Sequence, residues 1–252
     1  MPATQFLSHA TAAMLHGMPL PARLERESVI HVSVFSSSAR PTGRGVRGHV
    51  LQPGRCRLAT VAGLRAADAA TAWCQLAATL SVDDLVAAGD FLLTGDGRFG
   101  RRPAATTVDG LRAAIDRHDG CRGVTSLRRA VDLVRRGPLS RRESLLRLDV
   151  VRGGLPEPLP NHIVLDSRGG FVAMVDLAFV EYRVALEYQS DLHRPPAAYR
   201  ADVERLERLA DAGWVVVQVT AEGVREGGVS RQSDQTVERV RRRLQSRGWR
   251  AS

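Results

Sequence analysis

The feature that most constrains the fold is a pair of alternating apolar segments joined by a short turn. Apolar residues alternate with small or polar ones along Val172–Phe179 and Arg183–Ser190, which is typical of two β-strands with one face on a core. A symmetric four-residue loop, residues 180–183, sets the register of an antiparallel hairpin. This register predicts that Asp176 lies directly opposite Glu187.

The two faces of this predicted hairpin differ in chemistry. One face is apolar and predicts burial against the core: Val175, Leu177, Phe179, Val184, Leu186 and Tyr188. The other face carries the two acids, Ala178 opposite Ala185, and Gln189. Opposed carboxylates about 5 Å apart repel unless they share a proton or a cation. The alanines leave room for a ligand, and carboxylate oxygens suit Mg²⁺. An exposed acid face that only aids solubility is the alternative interpretation.

Helical and strand patterns alternate around the hairpin. They predict helices at 140–152, 195–213 and 234–247, and strands at 162–166, 170–179, 183–190 and 214–220. This order predicts an α/β domain over residues 137–252, with a mixed sheet flanked by helices. The continuous apolar run WVVVQVT predicts a central strand that is covered on both faces.

The preceding residues, 1–136, predict a smaller α+β domain. Its predicted helices are 8–16, 67–80, 82–93, 107–118 and 124–136, and its predicted strands are 29–34 and 46–51. Ser8, Asp68 and Ser81 are the expected N-caps of the first three helices. His9 and His16 lie on one face of the first helix, and we interpret them as core or surface residues rather than as a metal pair.

The charge balance suggests a polyanionic partner. The net charge is +9, and all 36 basic residues are arginine. Arginine can contact a phosphate with two N–H groups at once, so a nucleic-acid partner is one expectation. The other is that the arginines only form a solvated protein surface. The three cysteines stand apart, which favours a reducing cytoplasm over a disulfide framework. We expect neither a membrane span nor a secretory signal, because no long apolar run and no basic N-terminal region occur.

The block from Ser140 to Thr220 carries a set of motifs that resembles a known nuclease family. The motifs are Glu143 in SRRESLLRL, Asp176 in VDLAF, Glu187 and Gln189 in LEYQS, His193 in DLHR, Asp202 and Arg205 in ADVERLERL, and AGWVVVQVT. The aspartate strand followed by a glutamate strand resembles the PD-(D/E)XK nuclease core. The whole set resembles the domain-of-unknown-function 559 family, which is similar to very-short-patch repair endonucleases.

This resemblance implies a restriction endonuclease-like fold and a metal-dependent endonuclease acting on DNA. It implies Mg²⁺, for which Mn²⁺ can substitute, held by Asp176, Glu187 and Glu143. Gln189 stands where the family motif has lysine, and it would orient the attacking water without titrating. His193 is the candidate base, because the pKa of histidine lies near neutrality.

Four of these residues also have ordinary structural interpretations, and for His193 it is that of a loop histidine just before Arg194-Pro195-Pro196. Asp202 and Arg205 are candidates for nucleic-acid contact or for support of the metal ligands, but their spacing also suits an ion pair on a helix surface. Glu143 lies three residues after Ser140, so a capping box is the alternative to a metal ligand.

The first part of the chain resembles a different group. LSHATAAMLHGMPLP and LSVDDLVAAGDFLL resemble the central region of actinobacterial proteins related to AbiEi-type antitoxins. Such proteins often begin with a winged-helix DNA-binding segment, which here would have to lie upstream of residue 1. The sequence therefore leaves two classes of function open. One is a nuclease, and the other is a non-catalytic antitoxin or regulatory module that binds DNA or a toxin protein.

Overall fold

The computed structural model describes residues 2–95, 103–189, 196–224 and 231–251. The chain divides into two compact units, Met1–Arg141 and Arg142–Ser252. The predicted α/β class is confirmed, since each unit combines helices with a β-sheet. The boundary lies in the first turn of a helix rather than before it. The first unit is not the smaller one, because it spans residues 1–141 and the second spans residues 142–252.

The sheet of the first unit is mixed and has the strand order β3-β2-β1-β5-β4. Its strands are β1 (Phe6–Leu7), β2 (Ile30–Val34), β3 (Val46–Val50), β4 (Leu58–Val61) and β5 (Leu64–Ala67). The β2–β3 and β1–β5 pairs are parallel, and the other two pairs are antiparallel. Strands β1, β4 and β5 were not predicted, because they are too short to show a periodic pattern.

Three helices of the first unit begin directly after the capping residues predicted for them, Ser8, Asp68 and Ser81, and the short second helix was not predicted. The helices of this unit are α1 (His9–Leu15), α2 (Ala22–Glu25), α3 (Ala69–Leu76), α4 (Val82–Thr94), α5 (Val108–Arg117) and α6 (Val124–Leu133). Asp68 caps α3, and Ser81 caps α4 by accepting a hydrogen bond from the N–H of Asp84. Ser8 occupies the N-cap position of α1, but its hydroxyl makes no capping bond.

The second unit has the predicted order of elements. They are α7 (Arg141–Arg152), β6 (Leu159–Leu165), β7 (Phe171–Phe179), β8 (Val184–Tyr188), α8 (Pro196–Asp211), β9 (Val215–Val219) and α9 (Arg231–Gln245). The sheet order is β6-β7-β8-β9, and only β8–β9 is parallel among these described pairs. The prediction that β9 is central is wrong, since it lies at one end of the described sheet. Its apolar run reflects cover on both faces.

The register of the β7–β8 hairpin is confirmed. Leu177 pairs with Leu186, and Ala178 pairs with Ala185. The turn is a short 3-10 segment followed by Arg183, whose φ of 50° closes the four-residue loop. The alternation of apolar residues and the loop length together set this register.

Both faces of this sheet are packed against helices. Helices α7 and α9 cover the apolar face, in a cluster that includes Leu146, Leu177 and Val240. Helix α8 covers the face of the acids, where Leu209 packs in one cluster with Ala178. Val175, which was predicted on the first face, packs in this second cluster. The alternative of an exposed acid face is therefore wrong. Across the described ranges, no helix is both long and apolar enough to cross a bilayer.

Candidate metal centre

A row of polar residues crosses the sheet of the second unit. In the parallel β8–β9 ladder, Glu187 lies beside Gln218. Asp176 lies one residue beyond the last pair of the β7–β8 ladder, Leu177 with Leu186, and its carboxylate accepts a hydrogen bond from the backbone N–H of Tyr188, next to Glu187. Paired residues on neighbouring strands present their side chains to the same face. We call Asp176, Glu187, Gln218 and the asparagine described next the acid row.

Asn161 of β6 completes the acid row. The pairs on either side of it in the β6–β7 ladder leave Asp176 as its neighbour. Its φ of 49° lies in the left-handed region, which asparagine tolerates better than most residues. Its side-chain amide donates a hydrogen bond of 2.7 Å to Oε2 of Glu143. Sequence reasoning missed Asn161, although an asparagine after a proline within a strand pattern is a usable signal.

Helix α7 brings a third acid to the row. The side chain of Glu143 is buried, and only 7% of the residue is exposed. Its charge is close enough to raise the pKa of the Asp176 carboxyl. Asn161 therefore ties this helix acid to strand β6, the neighbour of the strand that carries Asp176, through a hydrogen bond. This contact gives Glu143 a place in the site, whatever it also does at the start of the helix.

Asp176 occupies the point where the β7–β8 ladder ends. Its Oδ2 accepts a hydrogen bond of 2.7 Å from the backbone N–H of Tyr188. Burial is the main cause that raises the pKa of Asp176 to about 6. The charges of Glu143 and Glu187 raise this pKa further, whereas the bond from Tyr188 and the charge of Arg205 lower it. Asp176 thus lies in surroundings that disfavour its negative charge.

Glu187 is buried and is neutralised by an arginine of α8. Arg205 donates from Nη2 to Oε2 of Glu187 at 2.6 Å, and from Nη1 to Oε1. The same Nη2 donates to Oδ1 of Asp202 at 2.8 Å. These hydrogen bonds, first the one with Glu187, hold the pKa of Arg205 above its ordinary value. The predicted ion pair between Asp202 and Arg205 exists, and it also reaches a buried acid of the row.

Of the remaining two predicted site residues, Gln189 is described by the structure and His193 is not. The backbone N–H of Gln189 donates 2.7 Å to the carbonyl of Val219, which carries the β8–β9 pairing one residue beyond β8. Strand alternation then places Gln189 on the same face as Glu187. His193 lies outside the described residues.

The donor set fits a hard divalent cation. Asp176, Glu187 and Glu143 offer carboxylate oxygens, the ligands that Mg²⁺ and Mn²⁺ prefer. Burial is the largest cause of the raised pKa of Asp176, and the charges of Glu143 and Glu187 add to it. A bound cation would favour the ionised form of Asp176 and would relieve the repulsion among the three acids. Either a bound cation or a proton shared between two carboxylates would therefore relieve the repulsion among the three acids.

An arginine-lined groove begins at the end of the acid row. It has a volume of about 660 Å³ and lies between α8, β9 and α9. Gln218 lines this groove, together with Trp214, Arg239, Arg242 and Arg243. Arg239 also donates a hydrogen bond of 2.9 Å to the carbonyl of Gln218. Three guanidinium groups close together form a surface suited to a phosphate backbone, whereas the Trp214 ring is buried in the core.

Comparison with known proteins gives distant relatives. Uncharacterized proteins of Mycobacterium tuberculosis strains CDC 1551 and H37Rv are each 31% identical to this chain over 113 residues. The match covers 44% of this chain and 41% of each relative, so the chain matches less than half the length of these proteins. No family model matches the chain, and no solved structure matches it significantly.

Proposed function

We propose that the second unit hydrolyses phosphodiester bonds in DNA with the help of Mg²⁺ or Mn²⁺. The observation that carries this proposal is the convergence of Asp176, Glu187 and Glu143 at one point of the sheet. Glu143 and Glu187 are buried and Asp176 is partly buried, and grouped acids of this kind are stabilised by a compensating charge, of which Arg205 supplies one at Glu187. A cytoplasmic setting is part of the proposal.

Each residue of the site has a role that follows from its chemistry. Asp176 and Glu187 would hold the metal, with Glu143 beside them and fixed by Asn161. When bound, the metal would activate a water molecule and offset the charge that develops on the phosphate. Gln189 would orient that water through its amide, which can donate and accept hydrogen bonds but cannot titrate.

His193 enters this proposal on the resemblance alone, as the group that takes the proton of the attacking water. Arg205 would serve as a positioning residue that holds the buried side chain of Glu187 through an ion pair. When a metal engages Glu187, the guanidinium of Arg205 would be available to a phosphate oxygen, which it can contact with two N–H groups.

The order of elements supports the nuclease proposal. The resemblance implies an early helix with a glutamate, an aspartate strand, a glutamate strand, a helix with an aspartate and an arginine, and a final strand. In this structure α7 carries Glu143, β7 carries Asp176, β8 carries Glu187, and α8 carries Asp202 and Arg205. These residues meet in space, which the sequence order alone does not require.

The arginine-lined groove supports DNA as the substrate. Its arginines adjoin the acid row through Gln218, so a strand held there would pass near Glu187. We expect binding of duplex DNA without strong sequence choice and with a steep dependence on salt, because phosphate contacts release counterions. An absence of binding at about 50 mM salt would remove DNA from the proposal.

A plasmid-nicking assay with Mn²⁺ tests the activity. The wild-type chain should nick supercoiled plasmid, and Asp176→Asn and Glu187→Gln should abolish nicking. Glu181→Gln is the matched control, because Glu181 is an exposed acid in the turn of the same hairpin. Equal nicking by all four proteins would point to a contaminating nuclease and would contradict the proposed site.

A non-catalytic module is the second candidate, and one observation favours it. Arg205 already neutralises Glu187 with two hydrogen bonds and links it to Asp202, so the row can persist without a metal. Gln189 in place of lysine is in agreement with this reading. The unit would then act as an antitoxin-like or regulatory module that binds DNA or a toxin protein. DNA binding that is insensitive to Mn²⁺, with no nicking, would favour this candidate.

A further inference from the structure

Three histidines of the first unit lie together, far apart in sequence. His9 begins α1, His31 lies on β2, and His49 lies on β3. One ring nitrogen of each lies within 4.8 Å of the others. Nδ1 of His31 is 3.0 Å from Nε2 of His49. We call these three residues the histidine cluster.

The strand register explains how two of them meet. In the parallel β2–β3 ladder, His31 pairs with Arg47 and Ser33 pairs with His49. Residues two apart on a strand share a face, so His31 and His49 lie diagonally on the same side of the sheet. The ring of His9 stacks on that of His49 with centroids 3.8 Å apart. His16 is not part of the cluster, since its Nε2 is 2.9 Å from the carbonyl of Ala67.

The spacing of the nitrogens is close to that of a metal site. Tetrahedral zinc with Zn–N bonds of 2.0–2.1 Å separates two ligand nitrogens by about 3.3 Å. The contact between His31 and His49 is within a few tenths of an ångström of that separation. His9 stacks face to face, so its ring must turn about χ2 to direct a nitrogen at the same point.

The buried member of the cluster has an unsatisfied ring nitrogen. His31 is 7% exposed, and within the described residues its Nε2 has no hydrogen-bond partner. Most buried polar groups have a partner, and each exception needs a physical explanation. Nδ1, not this nitrogen, faces His49, so a metal shared with His49 would bind Nδ1 of His31 and leave Nε2 unpaired.

The surroundings supply the support that metal-bound imidazoles usually have. Nδ1 of His9 is 3.0 Å from the hydroxyl of Ser8, which in turn accepts a bond of 2.7 Å from Ser33. Both serines are fully buried, and this chain occupies Nδ1 of His9, so Nε2 is the candidate ligand nitrogen of that ring. It also explains why the Ser8 hydroxyl leaves the helix N-terminus uncapped.

The charge state of the rings suits coordination. Burial, as the largest cause, lowers the pKa of His9 to about 3 and that of His49 to about 4. A neutral imidazole has a free lone pair for a metal. Arg47 lies close enough to lower both values, and Glu27 at 3.3 Å from its guanidinium offsets part of that charge.

We infer that His9, His31 and His49 form a binding site for a transition-metal cation of the Zn²⁺ class. Imidazole nitrogens suit Zn²⁺, Co²⁺, Ni²⁺ and Cu²⁺ rather than Mg²⁺. Three histidines leave a fourth position for water or another small ligand, as in zinc sites that are not purely structural. This site shares no residue with the acid row, and it does not depend on the function proposed above.

Cobalt spectroscopy tests the site on the full chain. We would use Co²⁺ as the probe in an Asp176→Asn background, which removes one carboxylate of the acid row. The expected result is binding with intense visible bands of a tetrahedral cobalt centre, and displacement of Co²⁺ by Zn²⁺. His49→Gln and His9→Gln should each weaken binding at least tenfold. His162→Gln is the control, because His162 lies in the other unit beside Trp214.

The outcomes separate a metal site from a stack of rings. Tetrahedral bands that weaken in both cluster variants and persist in the control support the proposal. Octahedral or absent bands, or equal affinity in His49→Gln and the background protein, overturn it and leave the cluster as a packing feature. Circular dichroism of each variant identifies any that fails to fold. If one variant does not fold, the cobalt affinity of the other variant and the cobalt spectrum of the unsubstituted cluster test the proposal.

Discussion

The acid row and the histidine cluster respond in opposite directions to the same physical cause. Burial disfavours charge in both, so it raises the pKa of Asp176 to about 6 and lowers that of His9 to about 3. The acids remain together by pairing with Arg205 and by hydrogen bonds. The imidazoles remain together as neutral, stacked rings.

This difference indicates which cation each region favours. Buried carboxylates carry a charge that is only partly offset, and oxygen ligands select hard cations such as Mg²⁺ and Mn²⁺. Neutral imidazoles offer nitrogen lone pairs, which select borderline cations such as Zn²⁺. Substitutions in either region should therefore separate the responses to these two classes of metal.

The largest expected effect comes from removing the cation of the acid row. Arg205→Gln leaves Glu187 buried without its ionic partner, so the free energy of unfolding should fall by about 2–4 kcal/mol. The lower part of this range allows for the 26% exposure of the Arg205 side chain. Urea unfolding without divalent ions measures the change. Added Mn²⁺ should restore part of the loss if the acids bind metal.

Arg200→Gln is the matched control for Arg205→Gln, since it removes an exposed arginine from the same helix. It should change stability by less than about 0.5 kcal/mol. Repulsion between opposed acids alone would make Glu187→Gln stabilising. The pairing with Arg205 reverses that expectation, and Glu187→Gln should destabilise the protein. Stabilisation by Glu187→Gln would mean that the ion pair does not form.

Asp176→Asn should increase the free energy of unfolding, whereas Arg205→Gln should decrease it. Asparagine can still accept the hydrogen bond of Tyr188, but it carries no charge, so stability at pH 7.5 should rise by about 1–3 kcal/mol. The pKa of Asp176 is raised from 3.8 to about 6 in the folded protein. The contribution of the protonated group is therefore complete below pH 3.8 and is lost as pH rises through about 6.

Thermal unfolding across this pH range provides the measurement. The difference between Asp176→Asn and wild type should be small at about pH 4 and should grow up to about pH 7. Mn²⁺ should raise the melting temperature of wild type, because it binds only the folded state, and should raise that of Asp176→Asn much less. A pH-independent difference would contradict the raised pKa.

The sequence predicted much of the acid row because local rules govern its parts. Alternation and loop length define the β7–β8 register, so Leu177 with Leu186 and Ala178 with Ala185 could be paired without a structure, and Asp176 could be placed near Glu187. The order of helices and strands was also readable from periodicity and capping. The pairing of Arg205 with Glu187 was not, because a surface ion pair with Asp202 satisfies the same helix spacing.

The histidine cluster could not be predicted in the same way. Its members lie on a helix start and on two parallel strands, and parallel pairing across a loop has no local turn that sets its register. Spacing along the first helix suggested His9 with His16, but Ala67 holds the His16 ring instead. The position of strand β9 in the sheet could not be predicted either. A strand that is packed on both faces has a continuous apolar sequence whether it lies at the end of a sheet or in its centre, and β9 lies at the end.

We expect DNA to bind at the arginine-lined groove of the second unit and not at the first unit, which holds the histidine cluster. Arg243→Gln should weaken duplex binding by about 1 kcal/mol and reduce the slope of log affinity against log salt by about 1, because one phosphate contact is lost. Arg128→Gln, an exposed arginine of the first unit, is the control and should change neither quantity. Fluorescence anisotropy at several salt concentrations measures both. Equal losses in the two variants would indicate a diffuse charge effect instead of a groove.

The smallest expected effect is that of His49→Gln without metal. The variant loses a ring stack with His9, and a glutamine amide can replace the contact with Nδ1 of His31. Because an aromatic pair contributes about 0.5–1.5 kcal/mol, and the desolvation of one imidazole is relieved, the free energy of unfolding should fall by only about 0.5 kcal/mol. Urea unfolding in the presence of a chelator measures this change, with His162→Gln as the reference substitution. A loss above about 2 kcal/mol would place His49 among residues whose packing builds the fold. In that case the acid row and the histidine cluster would not differ as we expect. The stability of both would depend on a single side chain.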